Sequence, residues 1–248
     1  MTHDHDWQRK VLCFRGIVPQ TTAHHFDCEG PVYRCEAASV EGFIQQLAVS
    51  YVAKGYWFYV TGQIPAHKTP QRVDQKLIER YGLEVSKYAR ARRKRAGLAN
   101  VQYLRLGPVY VLLATPGEHP FFAAEGRCIR DLRRVPLKVF GYAVSYRVNR
   151  GQGHASVRIE RARYHALKAH FMALALQRSV DQLAVELREV PFVPYAPVKR
   201  QLLMVVNAVN RVRRVAGFEP VPLAALTRLS ILGGDFDYFS GAVLRIRQ

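Results

Sequence analysis

The hydrophobic residues of this chain change their period once, near residue 160, and this change constrains the fold more than any other feature. Before it, runs such as Lys138–Val148 alternate apolar and polar residues, which is typical of strands. From Arg161 onward, apolar residues recur every three or four positions, as they do on amphipathic helices. The sequence therefore predicts an α+β fold, with a sheet-containing basic region over 1–160 and a helical segment over 161–248 packed on it. The two regions can equally belong to one domain.

Residues 31–65 predict a strand–helix–strand unit that resembles a βαβ motif. Val32–Ala37 has the composition of a strand, and Ser39 is placed to cap a helix that follows. Between Val40 and Val52 the apolar residues form one continuous stripe, and Gly55 is suited to end the helix. Tyr56–Ile64 then reads as a second strand. We expect this unit to contribute to a mixed or antiparallel sheet.

The rest of the chain predicts two polar helices, two hairpins and a C-terminal group of helices. Thr69-Pro70 and Ser86 are helix-starting signals. One hairpin turns at Leu106-Gly107-Pro108, and the other joins Lys138–Val148 to a strand containing Val157. Ser179 and Gln182 form a capping-box pattern, and a longer apolar stripe begins at Pro197.

The charge balance indicates the class of partner. The chain has 248 residues, with 37 Lys and Arg against 19 Asp and Glu, a formal charge of +18 and a pI near 10.1. Arg outnumbers Lys by 28 to 9, and guanidinium groups bind phosphate through two parallel hydrogen bonds. A hydrophobic content of 49% argues against disorder along the whole chain. We therefore expect a folded protein with a polyanionic partner.

Other sequence features bear on the cellular location of the protein. No uninterrupted apolar run reaches the roughly 18 residues of a membrane span, and the first residues have no apolar segment typical of a secretory signal. The four cysteines are unevenly spaced, which favours reduced thiols. These features predict a cytoplasmic location and no membrane partner.

Three basic clusters are candidate phosphate-binding sites, in the helix 86–96, in the segment around 130, and on the C-terminal helix. Asn207 and Asn210 lie within the last cluster and are candidates for base contacts, while the aromatic runs Tyr56–Tyr59 and Phe140–Tyr146 are candidates for base stacking or for the core. The predicted nucleic-acid-binding residues are Lys87, Arg90, Arg92, Arg93, Lys94, Arg95, Arg130, Arg133, Arg134, Lys199, Arg200, Arg211, Arg213 and Arg214.

Two other sets are candidate metal or catalytic sites. Glu118, His119, Glu125 and Asp131 follow a buried-looking strand, next to arginines that would hold phosphate, so they could bind Mg²⁺ or Mn²⁺ in a nuclease. Salt bridges with those arginines are the alternative. His24, His25, Cys28 and Cys35 supply ligand types suited to a structural Zn²⁺, although they lack the usual paired spacing.

The leading interpretation is a non-enzymatic nucleic-acid-binding protein, with DNA preferred to RNA, acting in DNA processing, mobile-element maintenance or defence. The alternatives are a metal-dependent nuclease or recombinase that uses Glu118–Asp131, and a structural RNA-binding subunit of a ribonucleoprotein. No glycine-rich phosphate loop, nucleophile elbow or HExxH motif is present. ATPases, serine hydrolases and zincins are therefore disfavoured.

Overall fold

A computed structural model describes residues 33–223 of the chain. In that range it has an α+β fold with antiparallel sheets and helices, as the change of hydrophobic period predicts. The strands are β1 (Phe58–Gln63), β2 (Val101–Leu106), β3 (Val109–Ala114), β4 (Arg130–Asp131), β5 (Leu137–Val139), β6 (Tyr142–Asn149) and β7 (Gln152–Ile159). The helices are α1 (Val40–Gln45), α2 (Pro70–Tyr81), α3 (Lys87–Arg95), α4 (Pro120–Glu125), α5 (Arg161–Leu174), α6 (Val180–Arg188) and α7 (Ala196–Val215).

The first sheet has the strand order β2-β3-β1-β4, and each neighbouring pair is antiparallel. The described part of the predicted strand at 32–37 adds one parallel bridge, in which Arg105 N–H donates to Cys35 O at 2.7 Å and Ala37 N–H donates to Arg105 O at 2.8 Å. This segment therefore runs parallel to β1, with the β2–β3 hairpin between them. The βαβ-like unit thus encloses two further strands.

Both faces of the first sheet are buried, which explains the unbroken apolar run of β3. Val111 and Leu113 belong to the larger hydrophobic cluster, with α1 and the C-terminal helices. Tyr110, Leu112 and Ala114 point the other way, into a smaller cluster beneath α2 and α4. A strand covered on both faces reads as a continuous apolar segment, because neither set of alternating side chains meets water.

The predicted helix after Ser39 forms, and it changes its hydrogen-bonding pattern along its length. Ser39 Oγ accepts from Gly42 N–H at 3.1 Å, α1 continues as a π-helical segment over Gln46–Tyr51, and a 3₁₀ turn over Val52–Lys54 ends it at Gly55. Gly55 has φ +97°, a left-handed conformation that favours glycine. A π segment inserts into a helix at a cost in stability and occurs often near functional sites.

The second sheet is the antiparallel meander β5-β6-β7, and it corrects the predicted single strand Lys138–Val148. Phe140 and Gly141 both have positive φ, 49° and 80°, and form a tight turn that separates β5 from β6. Val139 pairs with Tyr142 across the turn, so the buried positions change from odd numbers (Leu137, Val139) to even numbers (Tyr142, Val144). The ring of Phe140 packs edge-on against Phe43 at 5.3 Å between centroids, which holds the turn in place.

The C-terminal helices share the larger core with both sheets. Phe171 of α5, Leu183 of α6 and Leu202 of α7 are buried in the same cluster as Leu47 and Val157. The capping box forms as predicted, since Ser179 Oγ accepts from Gln182 N–H and Gln182 Oε1 accepts from Ser179 N–H. In the described part of the chain, none of the helices has the length and apolar character needed to span a membrane.

Candidate nucleic-acid interface

α3 is a highly basic surface helix held at both ends by the rest of the fold. Ser86 Oγ accepts from Ala89 N–H at 3.2 Å at its start. Asn100 Nδ2 donates to Arg90 O at 3.1 Å, which ties the helix to the buried residue that precedes β2. After the helix, Gly97 O accepts from Glu118 N–H at 3.0 Å. α3 has no buried residue, so these hydrogen bonds hold it in place without a buried apolar face.

The side chains of α3 fall into two groups. Arg90 Nη1 donates to Val85 O at 2.8 Å and Arg93 is half-buried near His119, so both contribute to the local structure. Tyr88, Arg92 and Arg95 lie at positions i, i+4 and i+7, on one exposed face, and Tyr88 is 81% exposed. No hydrogen bond or ion pair to a described residue engages these three side chains. The remaining exposed cations of the helix are Lys87 and Lys94.

In the second predicted cluster, one arginine is already neutralised. Arg133 forms a two-pronged pair with Asp131, with Nη2 to Oδ2 at 2.7 Å, and its guanidinium lies 4.7 Å from the ring centroid of Trp57. The hydrogen bonds from Arg133 lower the pKa of the Asp131 carboxyl. Arg127, Arg130 and Arg134 remain exposed. This segment therefore presents fewer available cations than its sequence indicates.

On α7, the structure corrects the roles of Arg213 and Asn210. Arg213 is buried and donates to the carbonyl oxygens of Ala175, Arg178 and Glu219 at 2.6–2.9 Å. Asn210 is also buried, and its amide pairs with both backbone groups of Val221. Arg213 holds the segments that follow α5 and α7, and Asn210 holds the segment that follows α7. Both side chains are therefore unavailable to a partner. The predicted residues of α7 that stay exposed are Lys199, Arg200, Arg211 and Arg214.

The proposed carboxylate–histidine set is not brought together. His119 Nδ1 accepts from Phe121 N–H at 3.0 Å and caps α4, and burial followed by the Arg93 charge lowers its pKa. Glu125 accepts a hydrogen bond from the Tyr81 hydroxyl, while Asp131 pairs with Arg133 and Glu118 is exposed. Across residues 33–223, no three His, Cys, Asp or Glu side chains converge as a metal site. For Asp131 the structure has the salt bridge with a neighbouring arginine that was the alternative to a metal site.

Of the predicted zinc ligands, His24, His25 and Cys28 lie outside the described residues. Cys35 is buried beside Asp74, and burial together with that carboxylate raises the pKa of its thiol to about 11. With three of the four residues outside the described range, the zinc site stays a prediction.

The aromatic runs belong mainly to the core. Tyr56, Tyr59 and Tyr142 are buried, and the half-buried Trp57 packs against Tyr146 at 5.0 Å between ring centroids. The exposed aromatic residue on the basic surface is Tyr88, which the sequence pattern did not single out. The sequence does contain a signal for the exposure of Tyr88. A lone tyrosine on a short helix without an apolar stripe has no hydrophobic core to pack into.

A scan against protein-family models and a search of the curated proteins find no match to this chain. The surface chemistry of the described residues is therefore the basis of the proposed function.

Proposed function

We propose that this protein binds nucleic acid through the exposed face of α3, with DNA the first candidate. The observation that carries the proposal is the grouping of Tyr88, Arg92 and Arg95 on one helical face, with no partner among the described residues. Two guanidinium groups provide donors for phosphate oxygens, and the phenol ring provides a surface for a base or sugar. Together they match the two chemical parts of a nucleotide.

The alternative interpretation of α3 is a solvated helix face, and two features argue against it. Clustered like charges destabilise a helix unless counter-charges are nearby, and no acidic residue lies in its first turn. A tyrosine that is 81% exposed also gains little from folding. A polyanion would neutralise the charges and cover the ring, and the formal charge of +18 draws such a partner to the protein.

This chemistry predicts a particular kind of binding. Phosphate contacts position a protein on the backbone and carry no base sequence, and stacking accepts any base. We therefore expect affinity that varies little with sequence and falls steeply with salt. Phosphate contacts and stacking are common to DNA and RNA, so both are to be tested.

The proposal is tested with the double variant Arg92→Gln/Arg95→Gln, with labelled DNA and RNA oligonucleotides and fluorescence anisotropy. The matched control is Arg178→Gln/Arg188→Gln, which removes the same charge from exposed positions elsewhere. We expect the α3 variant to bind about tenfold more weakly and to reduce the log–log salt slope by about 1.4 on single strands. The control should bind like wild type.

Equal losses in the two variants would show that net charge alone matters and would refute a site on α3. Absence of binding by the wild-type protein at low salt would refute the proposed function itself. Thermal unfolding of every variant verifies that each one folds.

A further inference from the structure

A cavity of about 840 Å³ lies along β7, between the helical segment 48–53 and the first turns of α7. We call it the β7 groove. Its walls are small or apolar side chains, including Ala48, Val49, Ala53 and Met204. Val49 and Met204 are 57% and 56% exposed, so these apolar surfaces are open to a ligand. The volume lies within the range of about 300–1,000 Å³ that is usual for ligand sites.

The polar lining of the β7 groove is cationic. Arg147, Arg158 and Arg200 are exposed, and none of these guanidinium groups contacts a described hydrogen-bond acceptor or carboxylate. His154 lines the groove as well and stands opposite Arg147 in the sheet register. None of the described residues that line it is acidic. Three unneutralised arginines around one cavity are arranged for an anionic ligand.

Strand geometry spaces the arginines along the groove. Arg147 lies opposite His154 in the register, and His154 and Arg158 share a face of β7 four residues, or about 13 Å, apart. Arg200 adjoins Gln201, whose amide pairs with both backbone groups of Ile159, so Arg200 lies toward the Arg158 end. Arg147 therefore lies toward one end of the groove, and Arg158 and Arg200 lie toward the other. That spacing suits a linear polyanion of about four nucleotides at about 3.4 Å each when stacked.

The groove also approaches the α3 surface. Lys94 Nζ lies 3.8 Å from the position that a Cβ on Gly55 would occupy, and Ala53, two residues earlier, lines the groove. A further cation therefore lies close to the wall of the groove that Ala53 forms.

We infer that the β7 groove binds a single nucleic-acid strand, an inference that rests on the proposed function and names its substrate form. Sites for single strands combine a cationic groove that follows the backbone with apolar surface for sugars and bases, and the β7 groove has both. A duplex is convex and presents two backbones, so it contacts a rim and does not enter such a channel.

A different occupant is an extended acidic peptide. β7 is the edge strand of its sheet, and Gln201 closes that edge only at Ile159. Such an edge accepts an added strand through its backbone groups. The exposed apolar surface of Val49 and Met204 favours the nucleic acid, because it suits sugars and bases, whereas guanidinium groups pair with carboxylates and phosphates alike. Polyglutamate serves as the probe for the peptide alternative.

The test uses the full chain, an oligothymidylate of about 20 nucleotides and a hairpin duplex of equal phosphate number, measured by fluorescence anisotropy. Arg147→Gln/Arg158→Gln removes two groove cations, and Ala53→Leu narrows the groove without changing charge or adding an aromatic ring. Arg178→Gln/Arg188→Gln is again the control. We expect both groove variants to bind the single strand about tenfold more weakly, with less than a twofold change for the duplex and for the control.

Each other outcome overturns the inference. Unchanged single-strand affinity in both groove variants, with a loss in Arg92→Gln/Arg95→Gln, leaves the proposed function standing and removes the groove from it. Equal losses for single strand and duplex would also contradict a single-strand site. Displacement of the oligonucleotide by polyglutamate at equal charge concentration would assign the groove to acidic peptides. Ala53→Leu decides the matter if the arginine variant fails to fold.

Discussion

Burial decides what each arginine of this protein does. The side chain of Arg105 is 3% exposed and is held by Asp74, with Nη2 to Oδ2 at 2.9 Å, while Arg213 is held by carbonyl oxygens. Arg92 and Arg95 have the same chemistry but no such contacts. Buried guanidinium groups with satisfied donors stabilise the fold, whereas exposed unpaired groups remain available to phosphate.

The two carboxylates on Arg105 provide a direct comparison at the residue scale. Asp74 is buried and also accepts from the Tyr103 hydroxyl at 2.6 Å, whereas the Glu36 side chain is 56% exposed. We expect Asp74→Ala to lower the free energy of unfolding by about 3–5 kcal/mol, because it leaves a buried charge short of partners. Glu36→Ala, the control, should lower it by less than about 1 kcal/mol. Urea denaturation measures both, and equal effects would be incompatible with this description.

Cys35 gives a prediction that depends on pH. Its thiol pKa is raised from 9.0 to about 11, so the folded state favours the protonated thiol. The stabilisation is full below pH 9, where the thiol is protonated in both states, and is lost as pH rises toward 11. We therefore expect iodoacetamide to modify exposed Cys128 much faster than Cys35 at pH 9 under native conditions. Peptide mass spectrometry measures both rates, and comparable rates would contradict the burial of Cys35.

At the scale of elements, the sequence predicts those structures whose signals are local. The caps at Ser39, Ser86 and Ser179 and the hairpin turn at Gly107 are confirmed, because neighbouring residues determine them. The turn at Phe140 was missed, since nothing local indicates a left-handed phenylalanine; its packing on Phe43 is a long-range contact.

The helical segment after Ser39 has one buried and one exposed face, and two substitutions distinguish them. Leu47 is fully buried, so we expect Leu47→Ala to lower the free energy of unfolding by about 2–5 kcal/mol. Val49, two residues later, is 57% exposed on the β7 groove, and Val49→Ala should change stability by less than about 0.5 kcal/mol. Denaturant titrations compare the two, and a large loss at Val49 would place it in the core.

Across the described part of the molecule, several acidic groups are engaged within the fold, while two groups of arginines are not. Asp74 and Asp131 bind arginines and Glu125 accepts from Tyr81, so these acidic groups are engaged within the fold. The exposed arginines of α3 and of the β7 groove are left without described partners. Because these arginines are not neutralised by the engaged carboxylates, they form two cationic surfaces, one on α3 and one in the β7 groove.

The sequence predicts the α3 surface but not the β7 groove, and the reason is physical. The cations of α3 are neighbours along the chain, so the local sequence alone reveals them. The β7 groove takes its cations from three elements: Arg147 from β6, Arg158 from β7 and Arg200 from α7. They line one groove only because of the strand register and the packing of α7. The alternation of Lys138–Val148 contains no information about which helix lies against this strand.

The salt dependence of wild-type affinity measures whether unpaired arginines bind nucleic-acid phosphate. Five contacts, from Arg92, Arg95, Arg147, Arg158 and Arg200, predict a log–log slope of about −3.5 on a single strand. A duplex that contacts only the two α3 arginines should give a slope of about −1.8. A single-strand slope near zero, or no binding at low salt, would refute phosphate binding by these arginines.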